Sequence, residues 1–240
     1  MPVYVENRQI VVPGELIADK NRFRVEGKVY ERDGRYYSKV LGVAYIDQEN
    51  RRVNVLTLKG KYIPSPGDLV IGKVVEVGLT NWIVDINSPY PAILPLNEVF
   101  SKPTSIPRSE LSKILDVGDI IAAKVIAFDY ARDPLITIKE TRLGKIPQGI
   151  VVEIPPSKVP RIIGRKGSMV NMIKELLGVE LIIGKNGRIV IVGKDRAKAE
   201  LAALVIRKIE REAHTSGLTD RVREFIMEKL NEIGGGSNEG

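Results

Sequence analysis

Residues 156–175 read PSKVPRIIGRKGSMVNMIKE, and this stretch organises the reading of the chain. Gly164 and Gly167 bracket two cations, Arg165 and Lys166, between two apolar segments. SKVPRIIG predicts a short helix, with Ser157 as its N-cap and Pro160 still inside the first turn. SMVNMIKELL predicts a second helix, capped by Ser168 and stopped at Gly178. A loop that joins flexible backbone to positive charge at a helix start suits a phosphate.

The flanks extend the pattern. GIVVEIP precedes the first helix as a strand. VELIIGKNGRIVIVG follows the second as a β-branched hairpin turning at Asn186-Gly187. Ala199, Ala202, Ala203, Ile206 and Ile209 then recur at helical spacing. The order β-α-α-β-β-α with a GxxG loop between the first two helices resembles the KH domain of eukaryotic topology, which clamps single-stranded RNA or DNA. Gly164, Arg165, Lys166, Gly167, Ser168, Ile163 and Arg161 are its candidate RNA-binding residues. Ile162, Ile163, Met169, Ile173 and Ile182 are candidates for an apolar floor under the bases. A second GxxG, Gly184–Gly187, lies between strands and reads as a hairpin turn.

Upstream, YIPSPGD at Tyr62–Asp68 marks a boundary. Strands are expected at Leu69–Val77, Asn81–Ile86 and Ala92–Pro95. A Pro- and Ser-containing loop and a short helix follow, then two strands within VGDIIAAKVIAFDYARDPLITIKE. Five strands with a helix between the third and fourth predict an OB-fold barrel. Trp82, the chain's single tryptophan, has two readings: a base-stacking ring on a central strand, or a core residue. Tyr90 follows it. Lys102, Arg108, Lys124, Arg132 and Lys139 are candidate cations along an RNA path. Asp129 and Asp133 in DYARDP read as turn residues rather than metal ligands.

Residues 1–59 alternate short apolar runs with turns at Pro13-Gly14 and Asp33-Gly34 and predict a small all-β unit. They hold six of the twelve Phe and Tyr of the chain: Tyr4, Phe23, Tyr30, Tyr36, Tyr37 and Tyr45. Some fill the core, and the remainder suit a protein interface. The expected division is an N-terminal β domain at 1–61, a barrel at 62–143, a KH domain with C-terminal helix at 147–233 and a flexible tail at 234–240. The fold class is therefore mainly β in the N-terminal part, followed by an α+β KH domain.

Charge follows this division. The chain of 240 residues carries a formal net charge of +7. Residues 1–59 contribute +3, residues 60–140 contribute −2 and residues 141–240 contribute +6. The cations gather where the GxxG loop lies. There is no cysteine, hence no disulfide framework and no thiolate metal site. No apolar run reaches membrane-spanning length and no signal-peptide pattern opens the chain, so a cytoplasmic location is expected. Few glutamines with many Ile, Val, Lys and Glu hint at a hot environment. No Walker loop, dinucleotide fingerprint or histidine–carboxylate cluster is present, and the only histidine, His214, reads as a surface or helix-end residue. The chain is expected to bind rather than catalyse, without cofactor or metal.

Taken together, VVPGE, GDLVIGKVVEV, IGRKGSM and IIGKNGRI resemble the archaeal exosome RNA-binding cap subunits, the larger of the two cap proteins. The likeness spans nearly the whole chain. The barrel is similar to the RNA-binding class repeated in the largest protein of the bacterial small ribosomal subunit. It departs from that class at LTNWIVDI, where one aromatic stands in place of an aromatic-Gly-aromatic start. The resemblance implies a non-catalytic subunit that captures single-stranded, A-rich RNA. It implies three copies on a hexameric ring of RNase-PH-like subunits, alone or mixed with the other cap protein. The RNA 3′ end would pass into the ring for phosphorolysis, and the N-terminal domain and barrel would contact the ring. Two other readings stand beside it. One is an antitermination or ribosome-associated RNA-binding factor, of which the antitermination factor would carry a second KH domain. A stand-alone 3′ exonuclease would need catalytic domains upstream.

Overall fold

The computed structural model describes residues 3–57, 60–100, 108–129, 131–213 and 217–235. The chain divides into two compact units, Met1–Gly60 and Lys61–Gly240.

The first unit is all β: β1 (Ile10–Val11), β2 (Leu16–Asp19), β3 (Arg24–Gly27), β4 (Val29–Arg32), β5 (Arg35–Ser38), β6 (Gly42–Asp47) and β7 (Arg52–Thr57). They form two sheets, ordered β1-β6-β7-β3 and β2-β5-β4. The β4–β5 hairpin turns at Asp33-Gly34 with φ of 53° and 72°, the left-handed pair that a two-residue turn requires. Val11, Ile17, Ala18, Ala44, Val53 and Val55 make the buried core. Phe23 and Tyr36 pack against it, whereas Tyr4, Tyr30 and Tyr45 are exposed.

The second unit begins with the barrel: β8 (Leu69–Val77), β9 (Asn81–Asp85), β10 (Ala92–Pro95), α1 (Arg108–Ile114), β11 (Ile120–Asp129) and β12 (Arg132–Thr137), with β13 (Gly144–Lys145) added beside β11. It closes because β12 pairs both with β11 and, in parallel, with β10. Val70, Val74, Val84, Leu94, Ile121, Val125 and Ile136 fill its interior, with Leu111 and Leu115 from the α1 segment.

The KH part follows: β14 (Ile150–Glu153), α2 (Val159–Ile163), α3 (Ser168–Leu177), β15 (Glu180–Ile183), β16 (Arg188–Val192), α4 (Arg196–Glu212) and α5 (Leu218–Gly235). Its sheet runs β14-β16-β15. Ala199, Ala202, Val205, Ile206 and Ile209 of α4 are buried against it. Asp195 caps α4 by accepting hydrogen bonds from the N–H groups of Ala197 and Lys198. Gly178, at φ 63°, ends α3. The two serine caps expected from sequence do not form. Ser157 sits inside a 3-10 turn, Pro156–Lys158, and Lys158 stands at the cap of α2. Ser168 is the first helical residue of α3, and Gly167 holds the cap position. α5 runs through Gly235. His214 and residues 236–240 of the expected tail lie outside the described residues.

The barrel and the KH sheet share a seam. Ile71, Ala122 and Val190 are buried together, with Ile120, Leu143, Ile146, Ile182 and Val192 packed around them. The second GxxG turn is inserted there. Its Lys185 N–H donates to the Leu69 carbonyl at 2.8 Å. Gly187 is at φ 84°, and a Cβ there would lie 2.1 Å from the Ile154 oxygen. The hairpin reading of Gly184–Gly187 holds, and the turn is also a joint between domains.

Candidate nucleic-acid interface

The first GxxG loop is built from backbone that ordinary residues avoid. Gly164 adopts φ 74° and ψ 176°, a region open essentially to glycine alone. A Cβ at Gly164 would lie 2.7 Å from the Met169 nitrogen and 2.8 Å from the Met169 Cβ, so sterics demand glycine a second time. Lys166 (φ 52°, ψ 31°) and Gly167 (φ 81°, ψ 7°) are both left-handed. The chain thus turns sharply out of α2 and re-enters helix at Ser168.

This geometry projects the loop outward. Arg161, Arg165, Lys166 and Ser168 are exposed. The three cations make no ion pair among the described residues. No side chain caps α3, so its first N–H groups and the positive end of the helix dipole face the same loop. Cations with no ion pair among the described residues and uncapped N–H groups at one point can hold an anion such as a phosphate. Ile163, 38% exposed at the end of α2, is the apolar element beside it.

The expected apolar floor is smaller than the sequence suggested. Ile162, Met169 and Ile173 lie in the KH core at 0–3% exposure. They face inward because both short helices must bury one stripe against β14, β15, β16 and α4. Ile182 turns the other way and packs into the barrel seam. Of the five, Ile163 alone stays open to a base.

The barrel candidates separate in the same way. Trp82 is wholly buried, and its indole Nε1 donates to the Leu115 carbonyl at 2.9 Å. It plugs the barrel beneath the α1 segment, so it is not a base-stacking residue. Part-exposed aromatics occur elsewhere, where Tyr90 tilts against Phe128 with centroids 5.1 Å apart. Phe128 carries no local signal of its own, since it ends the apolar run Val125–Phe128 of β11. Lys124 is drawn to Glu140 at 2.7 Å and Lys139 to Glu98 at 3.3 Å. Arg132 is highly exposed, 3.8 Å from Asp129. Asp129 also accepts from the Ala131 N–H, the turn role expected for it. Arg108 opens α1, and Lys102 lies outside the described residues. No cluster of metal-ligating side chains occurs among the described residues.

At the start of β16, Arg188 fixes the KH sheet to the barrel. Its guanidinium, 9% exposed, reaches Asp85 Oδ2 at 2.6 Å and Glu153 Oε1 at 2.7 Å. It also donates to the Asp85 carbonyl. Burial opposes the Asp85 charge, yet hydrogen bonds from Arg188 and the Asn87 N–H hold its carboxyl below the usual range. At the start of the barrel Asp68 accepts from Tyr62 at 2.9 Å and from Lys185 at 2.7 Å. Burial, then the Asp68 charge, push the Tyr62 hydroxyl far above its ordinary value. The GxxG loop therefore projects from a KH part that is hydrogen-bonded to the barrel at several points.

Three family descriptions match in succession. Residues 8–59 match the exosome RNA-binding protein RRP4 N-terminal domain, residues 61–127 the RRP4 S1 domain and residues 149–195 a KH domain. The exosome complex component Rrp4 of Thermofilum pendens is 61% identical over 228 residues, covering 95% of this chain and 96% of that protein. The Rrp4 component of Pyrococcus abyssi is 41% identical over 233 residues, covering 96% of this chain and 87% of that protein. A solved structure described as an exosome complex RNA-binding protein superposes with a TM-score of 0.68 at 42% identity. It covers 72% of this chain and 98% of its own. With the N-terminal β unit, the closed barrel and the KH order all in place, this chain belongs to the Rrp4 family of exosome components.

Proposed function

We propose that the chain is a non-catalytic, cytoplasmic cap subunit that captures single-stranded, A-rich RNA and passes its 3′ end to a phosphorolytic ring. The observation that carries this reading is the exposed Arg165-Lys166 pair, without an ion pair among the described residues, on the Gly164–Gly167 backbone. The kinship with exosome components and with an exosome RNA-binding protein supports the setting. The partners in this reading are RNase-PH-like ring subunits, with three copies of the cap on a hexameric ring, alone or mixed with a second cap protein.

The division of labour follows the expected domains, with ring docking in residues 1–61 and RNA guidance in the barrel at 62–143. The KH domain at 147–233 holds the grip. Docking is supported by the outer face of the β1-β6-β7-β3 sheet. Ile10 stands opposite Val43 there, and Ile10, Val12, Leu41 and Tyr45 are all exposed apolar residues. An apolar group of this kind on a small domain suits a partner subunit.

Mixing the pure chain with labelled single-stranded RNA and phosphate tests the role. The chain alone should release no nucleoside diphosphate, and adding it to a phosphorolytic ring should speed decay. Phosphorolysis by the chain alone would overturn the reading.

A further inference from the structure

The β4–β5 hairpin of the N-terminal unit carries a second cation–aromatic surface. Its register pairs Tyr30 with Tyr37 and Arg32 with Arg35. The Lys39 N–H donates to the Lys28 carbonyl at 2.9 Å, so those two residues continue the ladder. Side chains alternate across a strand. Lys28, Tyr30 and Arg32 therefore share one face with Arg35, Tyr37 and Lys39. Val29 and Tyr36 occupy the other face and pack on the core, so the cation–aromatic face looks outward.

The two rings stack, with centroids 5.4 Å apart and planes 20° from parallel. Because β4 is the edge strand of its sheet, the stack ends on Tyr30, which is 36% exposed. A further planar group can extend the stack past the sheet edge. The cations lie in rows on both sides of the tyrosines, about 7 Å from row to row along the strands. Lys28 and Lys39 make no ion pair among the described residues. Arg35 lies 3.5 Å from Asp19 and Arg32 lies 3.5 Å from Asp33, both in contact with solvent. Glu31 belongs to the opposite face and pairs there with Lys20 at 2.7 Å. Four cations thus face outward against two carboxylates.

We infer that this face is a second contact for single-stranded RNA, with a base stacked on Tyr30 and backbone phosphates held by Lys28 and Lys39. Stacking platforms flanked by cations bind single strands with little sequence preference, since every base has a π-face. An acidic protein surface would use the cations, whereas a planar base also continues the ring stack at its open end. This contact is separate from the KH loop and from the apolar outer face of the β1-β6-β7-β3 sheet.

The test uses the full chain and a short labelled oligoadenylate. Lys28→Ala combined with Lys39→Ala changes only surface side chains, and unchanged thermal melting confirms the fold. The variant should bind more weakly, and its slope of log affinity against log salt should shrink by roughly 0.7 for each phosphate released. Tyr30→Ala should weaken binding on the order of tenfold. The same changes placed on Arg165→Asp/Lys166→Asp should reduce the remaining affinity further, which separates this contact from the KH loop. A photoreactive oligoadenylate should crosslink to the peptide spanning residues 28–39. Unchanged affinity and salt slope, with no crosslink in that peptide, would overturn the inference. Normal RNA binding with lost ring association would also overturn it and make the face a protein interface.

Discussion

The Asn186 side chain pairs with the backbone of Ile71 as a neighbouring strand residue would. Its Oδ1 accepts the Ile71 N–H at 3.2 Å, and its Nδ2 donates to the Ile71 carbonyl at 2.7 Å. The same Nδ2 reaches the Ile86 carbonyl at 2.8 Å. Asn186 is fully buried, so its removal leaves three backbone groups in the seam without this partner. Each such group costs about 1–3 kcal/mol. Asn186→Ala should therefore destabilise the second unit by about 3 kcal/mol or more, read from urea unfolding. A change within about 0.5 kcal/mol, ordinary for surface positions, would show that the seam does not depend on this residue.

The two glycines of the first loop should respond differently to alanine. At Gly164 the conformation is open essentially to glycine, and a Cβ meets Met169 at 2.7 Å. Gly164→Ala should lose about 2–3 kcal/mol of stability and weaken RNA binding as the loop is displaced. At Gly167 a Cβ finds nothing closer than 3.6 Å, leaving only the left-handed backbone to pay for, at about 1–2 kcal/mol. Gly167→Ala should fold well and keep most of its affinity. Parallel melting curves and titrations distinguish them, and equal behaviour would contradict the packing argument.

Acid should loosen the seam through Asp85. Its carboxyl is held below the ordinary value by Arg188 against the opposing effect of burial. A depressed folded value means that the contribution is fully present above the unfolded value of about 3.9. It is lost as pH falls through the lower folded value. Asp85→Asn should be less stable than wild type at neutral pH, and the gap should close on acidification. Urea midpoints measured at neutral pH and in strong acid check this. A gap that stays constant would mean that Asp85 does not titrate with folding.

Removing residues 1–61 should separate docking from grip. The second unit retains its own barrel and KH cores, and the apolar outer face of the first unit is removed. A chain beginning at Tyr62 should fold and keep binding that depends on Arg165 and Lys166, while failing to join ring subunits. Size-exclusion chromatography with the ring subunits, beside an RNA titration, checks both halves. Co-elution at wild-type stoichiometry would place docking elsewhere.

Period and punctuation carried much of this architecture in the sequence. The strand expected at Leu69–Val77 and the helical spacing from Ala199 to Ile209 reappear as β8 and α4. Local chemistry was less informative where tertiary packing decides. Ser157 and Ser168 have the right side chains for caps, but a 3-10 turn and a left-handed glycine take those places. Trp82 sits on a strand with alternating burial, and nothing local tells which face is inside. The role of Asn186 is nonlocal, since its partners Ile71 and Ile86 lie 115 and 100 residues away. The Gly164–Gly167 loop was readable because glycine, charge and flanking helices coincide within a few residues.

The central claim is that Arg165 and Lys166 grip RNA phosphate from the Gly164–Gly167 loop. A titration of single-stranded RNA at several salt concentrations, wild type against Arg165→Asp/Lys166→Asp, tests it most directly. Both side chains are exposed, so the variant should melt with wild type. It should bind RNA far more weakly at low salt, and its salt slope should be shallower by roughly 0.7 per lost phosphate contact. An intact variant with unchanged affinity and slope would contradict the account and leave the loop a purely structural turn.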